Sequence, residues 1–282
     1  MNAKLFYLDQ LTKTSPYLNL AIEEAIALNL FQFGYSGAVR FWTNHNTIVL
    51  GISDSVSKNI PEDKIREFKN DYPQLRKSYK RKESLYISRR ASGGGTVFHD
   101  SEFNLNYSLF ASTKERKELY PVKDSYKILL GLVTDAIGKQ GIAASYAGKS
   151  DIAIETDGVL KKISGNAQFR KRDCIVQHGT IILDTKIINL VLENLSHPPE
   201  EPDYRKNRSH SDFLTSLPNT FSISRFKIDL YQGFQKFLGN GSLDEIPDRS
   251  EQDRNFLAKV FRDAKRLMSE KYANIEFIFS KS

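Results

Sequence analysis

Between residues 85 and 183 the chain offers short runs of β-type residues separated by turns, and helical patterns enclose this middle section on both sides. The runs lie at 85–88, 96–98, 105–110, 152–154, 159–163 and 180–183. Helical spacing starts upstream at 16–30. There Ser15-Pro16 reads as an N-cap followed by a first-turn proline, and Leu18, Ala21, Ile22, Ala25, Ile26 and Leu28 recur along one side. It returns at 122–139, with Tyr126, Leu129, Leu130, Val133 and Ile137 inward, and at about 185–195, 224–238 and 250–272. Residues 39–42 and 47–51 read as a strand pair around the polar turn Thr43-Asn44-His45-Asn46, and a last short strand is expected near 275–279. Segment 196–222, with prolines, serines and mixed charge, reads as a long loop. A doubly wound fold would need regular strand–helix alternation, which this order lacks. The expected class is α+β, a mixed sheet flanked by helices, in a single domain over 1–282 without a clean linker.

Length supports this: 282 residues can bury a full core without disulfide or metal staples. Hydrophobic residues at 40% and charged residues at 27% exclude a disordered chain. The net charge of +7 suits an anionic ligand, nucleic acid or an acidic partner, and is too small to choose among them. Much of the surplus sits at 69–82, where Lys69, Arg76, Lys77, Lys80, Arg81 and Lys82 face only Asp71. Such a run is either an electrostatic arm or, as charge runs usually are, a solvated loop or helix end. One cysteine, Cys174, excludes an internal disulfide framework and a multi-cysteine zinc site. No apolar run approaches ~18 residues, and the first residues lack a signal-peptide core. The expectation is a soluble cytoplasmic protein with no membrane and no nucleic-acid partner.

The strongest local signal is Arg89-Arg90-Ala91-Ser92-Gly93-Gly94-Gly95-Thr96-Val97-Phe98-His99-Asp100. Glycines lack Cβ atoms and let main-chain amides approach a ligand closely, and successive N–H groups in such a loop form an anion-binding concavity. The paired arginines add charge and planar donors suited to phosphate or carboxylate. The plain alternative is a glycine-rich hairpin with two exposed arginines.

Gly148-Lys149-Ser150 resembles the end of a phosphate-binding P-loop, but that motif requires a glycine where Ala143 stands, and no strand-to-helix switch surrounds it. The reading is rejected. In Lys161-Lys162-Ile163-Ser164-Gly165-Asn166-Ala167-Gln168, strand alternation sets Lys162 on the face opposite Ile163, where it could point into a cleft or simply into solvent. Cys174 and His178 stand four apart, yet along a strand that spacing is ~13 Å, too far for a thiolate–imidazole pair. The five histidines show no metal-cage spacing, so no metal ligands are assigned.

Taken together these segments closely resemble the lipoate–protein ligase family. The resemblance rests on the Arg-Arg-Ala-Ser-Gly-Gly-Gly segment and on Asn104-Leu105-Asn106-Tyr107-Ser108. It also rests on Gly148-Lys149-Ser150-Asp151-Ile152, on Lys162-Ile163-Ser164-Gly165-Asn166 and on Gln177-His178-Gly179-Thr180-Ile181. The entry helix with Asn19-Leu20-Ala21-Ile22-Glu23-Glu24 and the stretch from Trp42 to Gly51 match as well, over roughly residues 4–220. The resemblance implies the biotin/lipoate–protein ligase fold, a class II synthetase-like catalytic domain. It further implies activation of lipoate or octanoate by ATP and Mg2+ to an acyl-adenylate, then transfer to a lysine of an acceptor domain. Acceptors would be the lipoyl domains of 2-oxoacid dehydrogenase complexes or the glycine-cleavage carrier protein. By resemblance, Lys162 is the catalytic lysine, touching both lipoate and adenylate. Arg90, Gly95, Thr96, Val97, Phe98 and Asp151 serve the nucleotide, and Ser92, Gly93, Gly94, His99, Ser164, Gly165 and His178 serve the lipoyl group.

Three departures accompany the match. The chain stops near Ser282, about where the catalytic domain would end, so an accessory domain is expected to be absent and adenylation would be weak or need a separate accessory protein. The basic segment 69–82 is longer than the family's usual connection. Ser53-Asp54 stands where many relatives place asparagine and glutamine. The runner-up is an octanoyl- or lipoyl-transferase of the same superfamily, working through a cysteine thioester. Its nucleophile would precede the Lys-Ile-Ser-Gly segment, where this chain has no cysteine. A biotin ligase and a nucleic-acid-binding module are weaker alternatives.

Overall fold

The computed structural model describes residues 4–10, 14–76, 84–198, 201–239, 246 and 248–281. Lys77, Lys80, Arg81 and Lys82 of the basic run lie outside the described residues. Among the described residues ten strands form two sheets. The larger is mixed, with the order β1-β2-β6-β10-β9-β8-β7, and the smaller has the order β4-β3-β5. Its members are β1 (Leu5–Gln10), β2 (Gly37–Trp42), β6 (Asn104–Ser112), β7 (Ala144–Ala147), β8 (Asp151–Thr156), β9 (Val159–Lys171) and β10 (Cys174–Ile182); the small sheet holds β3 (Thr47–Leu50), β4 (Tyr86–Arg89) and β5 (Val97–His99). Only β1 with β2 and β3 with β4 run parallel. The α+β reading with a mixed sheet and flanking helices holds.

Strand alternation sends residues of one parity to each side of the large sheet. Val39, Phe41, Leu105, Tyr107, Leu109, Ile175 and Ile181 face α4 (Val122–Gly138) and α7 (Ile223–Phe237). Phe6, Ala38, Phe110, Cys174 and Val176 face the other way. There α1 (Pro16–Asn29), α8 (Glu251–Leu267) and the small sheet cover them. Helix α4 follows the expected spacing, with Leu129, Leu130, Val133 and Ile137 buried and Tyr126 at the edge of that core. Short helices α2 (Val56–Asn59), α5 (Lys186–Asn194) and α6 (His210–Phe213) serve as connections. Helix α3 (Glu62–Leu75) carries Lys69 and the start of the basic run, which accords with a helix end.

Three expectations change. Residues 39–42 and 47–51 are strands, but they belong to different sheets and do not pair. Asn46 at φ +44 turns the chain between them, and Asn19 Nδ2 fixes the crossing by donating to Thr43 O and Asn44 Oδ1. The strand expected near 275–279 is the one-turn helix α9 (Ile275–Ile278), capped by Asn274. Five residues with apolar groups on all sides do not separate a period of 2 from one of 3.6. The loop 196–222 contains α6 and a 3-10 turn at Asp203–Arg205. Among the described residues no helix is long and apolar enough to cross a membrane.

Candidate active site

Across the middle of the large sheet, on the side of α1 and the small sheet, the apolar parity gives way to polar residues. Arg40 on β2, Ser108 on β6, His178 on β10 and Ala167 on β9 form one cross-strand row. Trp42, Asn106, Thr180 and Gly165 form the next. Helix α1 roofs this seam with Asn19 and Glu23. Arg40 donates from Nη1 to Asn19 O and from Nη2 to Asn19 Oδ1, both at 2.8 Å. Glu23 accepts from Ser108 Oγ at 2.5 Å and meets His178 Nδ1 at 3.1 Å. Burial pushes the Glu23 carboxyl up, but His178, Arg40 and Ser108 outweigh it and hold it below its ordinary value. An ionised carboxylate can only accept, so His178 Nδ1 carries the proton facing Glu23, and Nε2 lies 2.7 Å from Ser92 Oγ.

Ser92 opens the glycine loop, and Arg90 shapes it from inside. Its Nε donates to Ser92 Oγ at 2.8 Å, Nη1 to Val49 O at 3.1 Å, and Nη2 to Gly93 O and Gly95 O at 2.6 and 2.9 Å. Burial lowers the Arg90 pKa to about 10, partly offset by Asp54. The guanidinium is thus engaged by loop carbonyls, and the exposed face of the loop is main chain at Gly94 and Gly95. Gly94 sits at φ +81, and a Cβ at Gly51 would lie 2.1 Å from Gly94 O, so the loop closes only over two bare glycines. Asp54 fastens its far end, accepting from Thr96 Oγ1 at 2.7 Å and from Gly51 N at 3.1 Å. That gives the departure at Ser53-Asp54 a structural role.

Arg89 is buried behind the loop. It donates from Nε to Ile278 O at 2.9 Å and from Nη1 to Gly51 O and Asp54 O at 2.7 and 2.8 Å. It buttresses the loop from the C-terminal helix and is not an exposed cation. His99 bridges Thr180 Oγ1 at 3.0 Å and Asn44 Nδ2 at 3.3 Å; burial, with Arg90 and His178 near, lowers its pKa to about 3.

Lys162 reaches the same face through a bulge. Ile152 pairs with Ser164 and Ala153 with Lys162, leaving Ile163 as the extra residue. Ile163 therefore enters the α4 core while the Lys162 ammonium folds over Gly165, where an added Cβ would stand 2.9 Å from Nζ. Its counter-ion is Asp151 at 2.8 Å. The loop lies over Ala167, since a Cβ at Gly94 would be 3.7 Å from the Ala167 Cβ. Ala167 is two residues beyond Gly165 along β9, about 7 Å at strand spacing.

The structure brings together Arg90, Ser92, Gly93, Gly94, Gly95, Thr96, His99, Asp151, Lys162, Gly165 and His178. It does not bring in the side chains of Ser164 and Phe98. Ser164 shares the parity of Ile163 because of the bulge, and its hydroxyl contacts Asn166 Oδ1 at 3.3 Å on the opposite face. Phe98 packs in the core, and Val97 is partly buried against the same core. What these two can offer a ligand is main chain. Glu23 was not singled out from the sequence; the signal was Asn19 and Glu23, four apart, in a helix that is otherwise largely apolar. Cys174 is buried in the core, and burial drives its thiol well above the ordinary range. Gly148-Lys149-Ser150 is the turn between β7 and β8, with no helix after it.

The glycine loop and Lys162 thus share one face of a mixed sheet. The family model described as the lipoyl protein ligase A/B catalytic domain matches residues 15–235, and the chain belongs to that family. It is similar to the lipoate-protein ligase A of Bdellovibrio bacteriovorus, 31% identical over 188 residues, which cover 66% of this chain and 47% of that protein. It is also similar to the octanoyltransferase LipM of Oceanobacillus iheyensis, 28% identical over 270 residues, 89% of this chain and 91% of that one. The chain spans about half the length of several curated lipoate-protein ligases it matches, and 89% of a further relative from Aeropyrum pernix. Among solved structures, one chain comes from the Thermoplasma acidophilum system of a bi-partite lipoate protein ligase and its E2 lipoyl domain. It superposes with a TM-score of 0.71 at 21% identity, covering 100% of this chain and 98% of that chain. A lipoate-protein ligase A bound with ATP gives 0.66 at 21% identity, covering 100% of both. At such identity these likenesses speak for the fold.

Proposed function

We propose that this chain activates lipoate or octanoate with ATP and passes the acyl group to a lysine of a lipoyl-acceptor domain. The observation that carries the reading is the Lys162 ammonium, turned by the β9 bulge onto the face that the glycine loop covers. Adenylation brings two anions together, the carboxylate and the α-phosphate. The carboxylate oxygen bonds to the α-phosphorus and pyrophosphate leaves. Lys162 and the amides at Gly93, Gly94 and Gly95 then offset the charge that builds, while Arg90 holds the loop in shape. The acceptor lysine amine next attacks the acyl carbonyl, and AMP leaves with the bond it formed. No enzyme nucleophile is needed.

Magnesium would be carried in on the phosphates and needs few protein ligands of its own. It would supply further charge neutralisation there. About half of each of several matched lipoate-protein ligases lies outside the stretch aligned to this chain, so a separate accessory protein is part of the proposal. One solved neighbour is described as bi-partite and studied with its E2 lipoyl domain, which supports a lipoyl domain as the acceptor.

Coverage favours a second reading, because LipM matches along nearly its whole length. A thioester route needs an accessible thiolate, however, and the one cysteine of the chain is in the core.

The deciding assay supplies lipoate and Mg-ATP, with and without an acceptor domain, and follows pyrophosphate release; an acyl-carrier donor is run in parallel. The ligase reading expects release, and a Lys162→Ala protein that folds but loses on the order of 10²–10³ in rate. Transfer from the acyl carrier alone, or wild-type turnover by Lys162→Ala, would falsify it.

A further inference from the structure

Residues 202–215 pass directly behind Lys162. Leu214 bridges to it, and Thr215 N donates to Lys162 O at 2.9 Å. Two arginines stiffen this strap. Arg208 donates to Leu160 O at 3.0 Å and to Tyr204 O at 2.8 Å, and both Arg205 and Arg208 sit over the Phe213 ring, at 4.9 and 5.3 Å. From the strap Tyr204 leans towards β8. Its ring is 5.1 Å from that of Phe213 and lies against Gly148, where a Cβ would be 3.1 Å from Cε1. Gly148, at φ +59, is the one residue type that admits both the turn and the ring. Tyr204 Oη then donates to Asp151 Oδ2 at 2.9 Å, while Asp151 Oδ1 holds Lys162 Nζ at 2.8 Å.

We propose that Tyr204 is a positioning residue for Lys162, acting through Asp151; the inference rests on the ligase reading of that lysine. A lysine ammonium is a point charge on a flexible stem, so its place is set by what holds it. A carboxylate with two free oxygens would turn to put both on the ammonium and draw it away from an incoming anion. Tyr204 occupies one oxygen, fixes the plane of the carboxylate and carries part of its charge. Lys162 is left on a single oxygen, over Gly165 and facing the loop. The strap fixes the main chain of the same residue, so side chain and backbone are located from one segment.

Tyr204→Phe keeps the ring against Gly148 and Phe213 and removes only the hydroxyl. The full chain is assayed with lipoate and Mg-ATP and also with preformed lipoyl-adenylate plus acceptor domain, so that weak adenylation still leaves a readout. The expected result is a kcat about tenfold lower with KM for lipoate little changed, as for loss of one hydrogen bond to a charged group. In an Asp151→Asn background, Tyr204→Phe should add nothing, because the path it acts through is already cut. A wild-type kcat in Tyr204→Phe overturns the proposal, as does a tenfold loss that persists undiminished on Asp151→Asn. Lys162→Ala run alongside separates the two levels. Full activity there sinks the ligase reading, whereas an inactive Lys162→Ala beside an unaffected Tyr204→Phe sinks only the latch.

Discussion

The two faces of the large sheet use the same strands for different ends. Towards α4 and α7, β2, β6 and β10 present Val39, Phe41, Leu105, Leu109, Ile175 and Ile181, an apolar layer closed by Phe226 and Phe234. Towards α1 they present apolar residues at the ends and a polar seam in the middle. That seam runs from Trp42 Nε1 to Ser108, Glu23, His178, Ser92 and Arg90, with each link a hydrogen bond of 2.5 to 3.1 Å. Most polar atoms of the seam are partnered, with Arg40 Nε and Asn106 Nδ2 the exceptions, and an unpaired polar group in low dielectric is costly. The apolar face is free of that cost and tolerates volume-conserving change. One face therefore serves packing alone, whereas the other combines an apolar core with the polar geometry of the site.

The sharpest way to break that division is Phe226→Ala. Phe226 is fully buried, edge-on to Phe41 at 6.0 Å and near Phe221 at 5.5 Å. Its removal should cost about 3–5 kcal/mol through lost burial and a residual cavity. In urea titrations the midpoint should fall with the slope unchanged, while the folded protein keeps its kcat and KM in the cold. A tenfold loss of kcat in fully folded protein would show that the apolar face also holds the geometry of the site.

The next test concerns the seam's own side of the sheet. Glu24, beside Glu23 on α1, is clamped by Lys171 at 2.6 Å, Lys271 at 2.7 Å and Tyr272 Oη at 2.6 Å, which ties α1 to the C-terminal helices. Burial would raise its pKa, but these three partners bring it from 4.5 down to about 2. A carboxyl held below its unfolded value stabilises the fold above about 4.5, and that contribution is lost as pH falls towards 2. The shift corresponds to about 3 kcal/mol, reduced to roughly 2 because both lysines reach solvent and are screened. Glu24→Gln should therefore be less stable than wild type at pH 6, with the gap closing as the two unfolding curves are followed to pH 2. A constant gap would mean that the clamp is held by packing and not by charge.

This division also explains what could be read in the chain. Periodicity reports burial, so α4 and most strands of the large sheet were legible; the glycine loop stood out by residue type, whereas Lys162 and His178 were singled out through the family resemblance. A bulge is invisible to alternation. Ser164 looks like a partner of Lys162 in the sequence, and one extra residue at Ile163 sends it to the other core. Arg89 and Arg90 read as paired donors for a phosphate or carboxylate, but main-chain partners engage both guanidinium groups: Ile278 O lies 189 residues from Arg89. The connection from 43 to 46 shows the same limit, because which sheet a strand joins depends on Asn19 far upstream. Strand β1 went unread because Leu5–Gln10 is a short edge strand whose outer residues are only half buried.

Cys174 gives the smallest effect and tests the comparison from the core side of the seam. It stands on the same parity as His178, two cross-strand steps along β10, yet lies in the apolar end of that face, opposite Ser112. Its thiol donates only to the neighbouring Ile175 O, at 3.7 Å, and burial disfavours the thiolate. Cys174→Ala removes one buried atom of about methylene worth, so a stability loss near 1 kcal/mol is expected, with acyl transfer at the wild-type rate. If transfer vanishes while circular dichroism and the unfolding midpoint stay close to wild type, the acyl group travels through a thioester. The polar seam would then be a guide for an acyl chain headed into the core, and the catalytic weight placed on Lys162 would have to move to Cys174.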